Sequence, residues 1–189
     1  MAAVAGRSTR SLAITKMAFS PAQTVVILGT SRNDGNTRLA VENVLAKKLV
    51  EVVDLSGIEL SAYDYSHQNS RDGFIPLIES IANRPLWILA TPVYWYAMSA
   101  QMKIFVDRLS DLITIRKDLG RCLRGKSVAV VASGTDAALP TGFESPFRLT
   151  CEYLGMTYVG AFYSQFEKND QPFPNLETEA RAFGESWIS

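Results

Sequence analysis

Three observations predict a three-layer α/β sandwich built on a five-stranded parallel sheet of order 2-1-3-4-5. Short apolar, β-branched runs alternate with amphipathic helical stripes five times, no segment repeats another, and the longest apolar stretches are broken by Gly, Pro, Lys or Asp. Strands buried on both faces of a parallel sheet read as such continuous runs, and parallel neighbours need right-handed helical crossovers that cover both faces. Five strands fit the 2-1-3-4-5 order better than the six-stranded dinucleotide order. Ligands in such sheets lie beyond the carboxyl ends of the strands, near the switch point, so the loops after the first, third and fourth strands are where chemistry is expected.

The first strand is the run TVVILG over 24–29. Val41, Val44, Leu45 and Leu49 then fall at i, i+3, i+4 and i+8, one stripe of a helix. A second strand covers 50–54, and a long polar segment over 55–73 leads to a second stripe, Phe74, Leu77, Ile78 and Ile81, which Pro85 terminates. LWILAT over 86–91 is the third strand, and Met102, Phe105, Val106, Leu109 and Ile113 are the next stripe. KSVAVVAS over 126–133 is the fourth strand. Ser145 is placed to cap a helix with Pro146 at its first position, Phe147, Cys151 and Leu154 line it, and Gly155 ends it. A fifth strand over 157–163 precedes a closing helix marked by Leu176, Ala180, Phe183 and Trp187.

Composition narrows the function classes. The 189 residues are 47% hydrophobic and 20% charged, as in an ordinary globular domain, with 19 Lys+Arg against 19 Asp+Glu. A balanced charge provides no field to gather nucleic acid or an anionic membrane, so no nucleic-acid partner is expected. No apolar stretch approaches the ~20 residues of a membrane span. Cys122 and Cys151 have no second Cys or His at ligand spacing, which excludes a zinc or iron-sulfur site and suits free thiols in a reducing, cytoplasmic setting. Residues 1–23 carry Arg7, Arg10 and Lys16 and no acid, so the remaining 24–189 hold 16 basic against 19 acidic groups, net −3. The leader lacks the apolar region of a secretory signal and reads as an extension ahead of a domain beginning near Met17. A transit peptide or an arm packed on a partner subunit are the alternatives.

Two loops carry the strongest chemical signals. GTSRNDGNT over 29–37 joins the first strand to its helix, and hydroxyls, Gly and backbone N–H groups at a helix N-terminus form a cradle for a phosphate. It is neither a Walker loop, since Asn36-Thr37 stands where Lys-Ser/Thr is required, nor G-x-G-x-x-G. A plain Gly-containing turn with Asn36 capping the helix satisfies the same local physics. TPVYWYAM over 91–98 places three consecutive aromatics at the end of a central strand, where they can stack on a planar heterocycle or pack into a subunit interface. The short loop Ser133-Gly134-Thr135-Asp136 is a weak signal alone.

Taken together, GTSRNDGNT (29–37), ATPVYWYAMSAQMKIFVDR (90–108) and VASGTD (131–136) resemble the flavodoxin-like NAD(P)H-dependent FMN reductase family, with the three motifs in order on the expected three loops. The resemblance runs over about 24–163. It implies a flavodoxin-like FMN-binding domain over 24–189, with the FMN phosphate on Ser31, Arg32, Asn36 and Thr37. It further implies the isoalloxazine ring against Pro92, Val93, Tyr94, Trp95 and Tyr96, with Ser133 and Gly134 on its other side. Ala100 stands where relatives frequently have Gly, and the cysteine cluster of iron-sulfur flavoproteins is missing. The activity implied is hydride transfer from NAD(P)H through FMN to a small-molecule acceptor such as a quinone, a nitro or azo compound, or free flavin. No catalytic side chain is obligatory for it. An electron-carrier flavodoxin is the alternative, but a net charge of −3 is small for a docking rim of that kind. A flavin-free binding domain on the same fold is a further one.

Among the remaining residues, His67 reads as a solvated loop histidine, with a bond to substrate or to a neighbouring subunit as the alternative. Asp107 and Arg108 read as the start of an exposed helix face. Cys151 falls on an apolar stripe and reads as core. The segment 167–175 reads as a surface connection. Trp95 and Tyr96 expose more aromatic area than one flavin ring covers, so a homodimer or higher homo-oligomer with FMN near the interface is expected.

Overall fold

The computed structural model describes residues 18–167 and 171–189. Five parallel strands, β1 (Thr24–Leu28), β2 (Glu51–Asp54), β3 (Leu86–Tyr94), β5 (Ser127–Gly134) and β6 (Thr157–Gln165), form a sheet of order β2-β1-β3-β5-β6. A two-residue strand, β4 (Ala97–Met98), turns back antiparallel on the end of β3, Val93 facing Met98 and Tyr94 facing Ala97. The expected 2-1-3-4-5 order therefore holds, with β4 as a short side strand in the segment where the sequence predicts a loop.

Side chains alternate along each strand, and this divides the core in two. Val25, Ile27, Trp87, Leu89, Val128 and Val130 face one side, where α2 (Phe74–Ile81), α3 (Ala100–Arg108) and α6 (Ser145–Leu154) bury Ile78, Phe105 and Phe147 against them. Val26, Leu28, Ile88, Ala90, Ala129 and Val131 face the other, covered by α1 (Asn36–Leu45) and α7 (Leu176–Glu185). Each fully buried Val, Leu or Ile on these faces contributes about 1.5–3 kcal/mol relative to exposure. α1 and α7 touch so closely that a Cβ on Gly184 would run into the Val44 carbonyl, so only glycine fits there. Two short helices, α4 (Asp111–Thr114) and α5 (Lys117–Cys122), complete the crossover from α3 to β5.

Several boundaries differ from the sequence reading. Ala46 and Lys47 take positive φ and end α1, so Leu49 falls outside the stripe and is 94% exposed. Glu144, not Ser145, is the N-cap of α6, with the proline inside its first turn, and Gly155 ends the helix at φ 72° as expected. Ile113 lies beyond the break after Arg108 and is exposed rather than core. Ahead of β1, Phe19 is buried and bridges to Ile188 at the other end of the chain. The readings for residues 1–17, and part of that for 167–175, fall outside the described residues.

Candidate functional site: a cleft at the carboxyl ends of the strands

A cleft of about 330 Å³ opens at the carboxyl edge of β1, β3 and β5. Its walls are the loop between β1 and α1 (Thr30, Arg32, Gly35, Asn36, Thr37), the end of β3 (Pro92, Val93, Tyr94) and the end of β5 (Ser133, Gly134, Thr135). The three loops picked out in the sequence thus meet in one place, as a sheet with its switch point between β1 and β3 requires.

Hydrogen bonds tie these loops together. Thr37 Oγ1 and Ser133 Oγ lie 2.8 Å apart, both buried, linking the first turn of α1 to the end of β5. Ser99, the N-cap of α3, donates its hydroxyl to the Gly29 carbonyl at 2.6 Å and accepts the Met102 amide at 3.1 Å. Its own amide donates to Thr91 Oγ1 at 2.9 Å. Gly29 is required where it stands, because a Cβ there would come within 2.9 Å of the Met102 backbone nitrogen and Cβ. Ser99 escaped the sequence reading; its position just before a helical stripe is an N-cap signal that could have found it.

One end of the cleft suits an anion. The first-turn amides of α1 have no acceptor within the helix, and Asn36 and Thr37 of that turn line the cleft beside Thr30 and Arg32. Arg32 is the one charged side chain on the lining, and no carboxylate stands among these residues. Ser31 lies just outside, its hydroxyl accepting from Gln101 Nε2 at 3.3 Å. The other end is more apolar, formed by Pro92, Val93 and Tyr94 of β3, with Ser133 and Gly134 beside them on the neighbouring β5. Behind Gly134, Tyr163 donates its hydroxyl to the Asp136 carbonyl at 2.8 Å, bracing the third loop. Burial, and then the neighbouring Asp136 charge, push the Tyr163 phenol above its ordinary range, so it stays a donor.

Trp95 and Tyr96, expected against the ring, are not on the lining. They form the β3–β4 turn and are 93% and 69% exposed. Arg108 is also not where the sequence reading put it. Asp107 is on the surface, paired with Lys103, but Arg108 is 1% exposed. Its guanidinium bonds Asp72 at 2.5 and 3.1 Å, Asp111 at 2.7 Å and the Ser61 carbonyl at 3.0 Å, with the Phe74 ring beneath it. Burial raises the pKa of Asp72, but bonds from Arg108, Ser61 and Phe74 outweigh it and hold the carboxyl below its ordinary value. His67, rather than free in solvent, bonds Asp111 through Nδ1 at 3.0 Å. This cluster anchors the long 55–73 segment and contributes no residue to the cleft.

A larger groove, about 580 Å³, runs between α4–α5 and α6 past Lys117, Arg121 and Arg124. It lies by Arg124 and Gly155, just ahead of β5 and β6, at the opposite end of the sheet from the cradle loops. Among the described residues no cluster of His, Cys, Asp or Glu is arranged to hold a metal, and no helix is long and apolar enough to cross a membrane.

Comparison with known proteins agrees with this geometry. The sequence profile of the NADPH-dependent FMN reductase family matches residues 22–170. YwqN of Bacillus subtilis (strain 168), named as an NAD(P)H-dependent FMN-containing oxidoreductase, is 31% identical over 150 residues, covering 71% of this chain and 80% of its own. The solved structure of the Trp repressor binding protein from Bacillus subtilis superposes with a TM-score of 0.66 at 25% identity, over 84% of this chain and 96% of that one. An FMN-dependent NADH-azoreductase from Bacillus anthracis, solved with FMN, shares the fold at a TM-score of 0.60 and 10% identity, over 86% and 95% of the two chains. The architecture is flavodoxin-like, and the chain belongs to the NADPH-dependent FMN reductase family.

Proposed function

We propose that the cleft takes FMN with its phosphate toward Ser31, Arg32, Asn36 and Thr37 and its ring against the ends of β3 and β5, at Pro92, Val93 and Tyr94 and at Ser133 and Gly134. The observation that carries this placement is the polarity of the cleft, hydroxyls, an amide and one cation at the helix end against the apolar side chains of Pro92, Val93 and Tyr94 at the other. That pattern fits a phosphate joined to a planar ring, and the cleft volume lies within the range of cofactor sites. FMN, once bound, supplies the redox chemistry, accepting a hydride from NAD(P)H and passing two electrons to a small-molecule acceptor.

The chain's own contribution is binding and positioning. Arg32 and the α1 amides oppose the phosphate charge. Pro92, Val93 and Tyr94 keep water from one face of the ring, and Gly134 lets the third loop approach without a side chain in the way. Since no carboxylate lines the cleft, nothing there opposes the negative charge that two-electron reduction brings. Backbone N–H groups of the second loop are the donors we assign to the ring's polar edge. Mass spectrometry of the released cofactor tests its identity, FMN expected and FAD or no flavin contradicting it, and loss of FMN affinity in Arg32→Ala tests the placement, an unchanged affinity contradicting it.

We further infer a homodimer acting in the cytoplasm. Exposed Ile113, Leu149 and Tyr153 flank a groove of about 320 Å³ between α3–α4 and α6, apolar surface of the kind that a second copy covers. The exposed Cys122 thiol suits a reducing compartment. Sedimentation at micromolar concentration checks the assembly.

A further inference from the structure

The turn between β3 and β4 consists of two residues, Trp95 and Tyr96, both at positive φ, 48° and 65°. Two-residue hairpin turns of this hand are built from Asn-Gly or Gly-Gly, because a Cβ at positive φ crowds the following carbonyl. Two bulky aromatics in succession make it a strained backbone, and strain of this kind persists where a site uses it. The chain's own packing does not offset it, since the two residues are 93% and 69% exposed. The turn is nonetheless held firmly at both ends. Val93 and Tyr94 before it line the cleft, and Ser99 after it is locked to Gly29 and Thr91. Two aromatic rings are therefore presented on a fixed hairpin at the rim of the cleft, in a conformation their own residue types disfavour.

We propose that Trp95 and Tyr96 form the docking platform for the electron acceptor and select planar aromatic acceptors over compact inorganic oxidants. The proposal rests on the oxidoreductase reading above. An indole and a phenol gain stacking energy with a planar π-system beyond what area alone provides, while a compact anion gains nothing from them. Holding the rings on a rigid turn lowers the ordering cost of binding. A quinone on this platform takes up two electrons and two protons to become the hydroquinone, whereas ferricyanide takes one electron per ion and no proton.

The test compares the FMN-loaded wild type with the double variant Trp95→Asn, Tyr96→Gly, which keeps the turn in a sequence that favours it. Reoxidation of dithionite-reduced holoenzyme by menadione and by ferricyanide reads the platform without NAD(P)H. NAD(P)H bleaching of the same preparations reads the oxidoreductase activity separately. The expected variant binds FMN within about twofold of wild type and melts about 2–4 °C higher, as relief of left-handed strain predicts. Its apparent affinity for menadione falls about tenfold, while ferricyanide reoxidation is unchanged. Equal menadione kinetics in the two proteins overturn the proposal, as does a parallel loss with both acceptors. A fall in FMN affinity also overturns it, because the rings then hold the flavin instead.

Discussion

Thr37 Oγ1 and Ser133 Oγ lie 2.8 Å apart in the floor of the cleft and clamp the start of α1 to the end of β5. Each hydroxyl has one proton and two acceptor positions, so when one donates to the other, the acceptor hydroxyl keeps a proton to give to a bound anion. Thr37→Val preserves shape, removes the Thr37 hydroxyl from the anion end of the cleft and leaves Ser133 without its buried partner. Losing a charge-assisted bond of this type costs about 1.5–3 kcal/mol, so the FMN dissociation constant should rise roughly 10- to 150-fold. Flavin fluorescence titration measures it, and an unchanged constant places the phosphate elsewhere.

Gly29→Ala tests the junction between the first two loops. The new methyl meets Met102 backbone and side-chain atoms at 2.9 Å, so α3 or the loop has to move. Overpacking of this kind costs about 1–3 kcal/mol. Thermal melting should show the loss, and FMN affinity should fall with it because the Ser99 bond to the Gly29 carbonyl is displaced.

Asp72→Asn uncovers the buried cation at Arg108, leaving Asp111 as its one carboxylate partner. Removing one partner of a buried pair costs about 3–5 kcal/mol at neutral pH. Because the folded-state pKa of Asp72 is depressed, its contribution is present above the ordinary Asp value of about 3.9 and is lost as pH falls through the lower folded value. The gap in urea midpoint between wild type and variant should therefore narrow on acidification from pH 6 toward pH 3. A gap that stays constant contradicts the pairing.

Much of this was legible in the chain because the central strands are buried on both faces, so their β-branched runs stand out whatever packs on them. The cradle and the aromatic segment were legible for the same reason, since each follows such a run. Other features depend on partners far away in sequence. Arg108 lies three residues after Phe105, on the buried side of α3, yet its carboxylate Asp72 comes from a loop 36 residues earlier, and nothing local announces the pairing. β4 is two residues long, too short for any periodicity, and the turn it makes with β3 leaves Trp95 and Tyr96 exposed beyond the cleft lining. Leu49 continued the helical spacing of α1, but the reversal at Ala46 and Lys47 ended the helix first.

The two cysteines should separate cleanly in a thiol-reagent assay. Burial pushes the Cys151 thiol up to about 12, while Cys122 is exposed. Native protein should consume one equivalent of a chromogenic disulfide reagent at pH 8 and denatured protein two. Rapid labelling of both thiols in the native state would show that the α6 face opens.

Anaerobic stopped-flow mixing of the FMN-loaded protein with NADPH, and separately with NADH, tests the central claim most directly. The flavin absorbance should bleach in a single-turnover phase with at least one of the two, and return when menadione is added. A fully loaded protein whose flavin is not bleached by either nucleotide, yet is reduced by dithionite and reoxidised normally, contradicts the account and makes the chain an electron carrier instead.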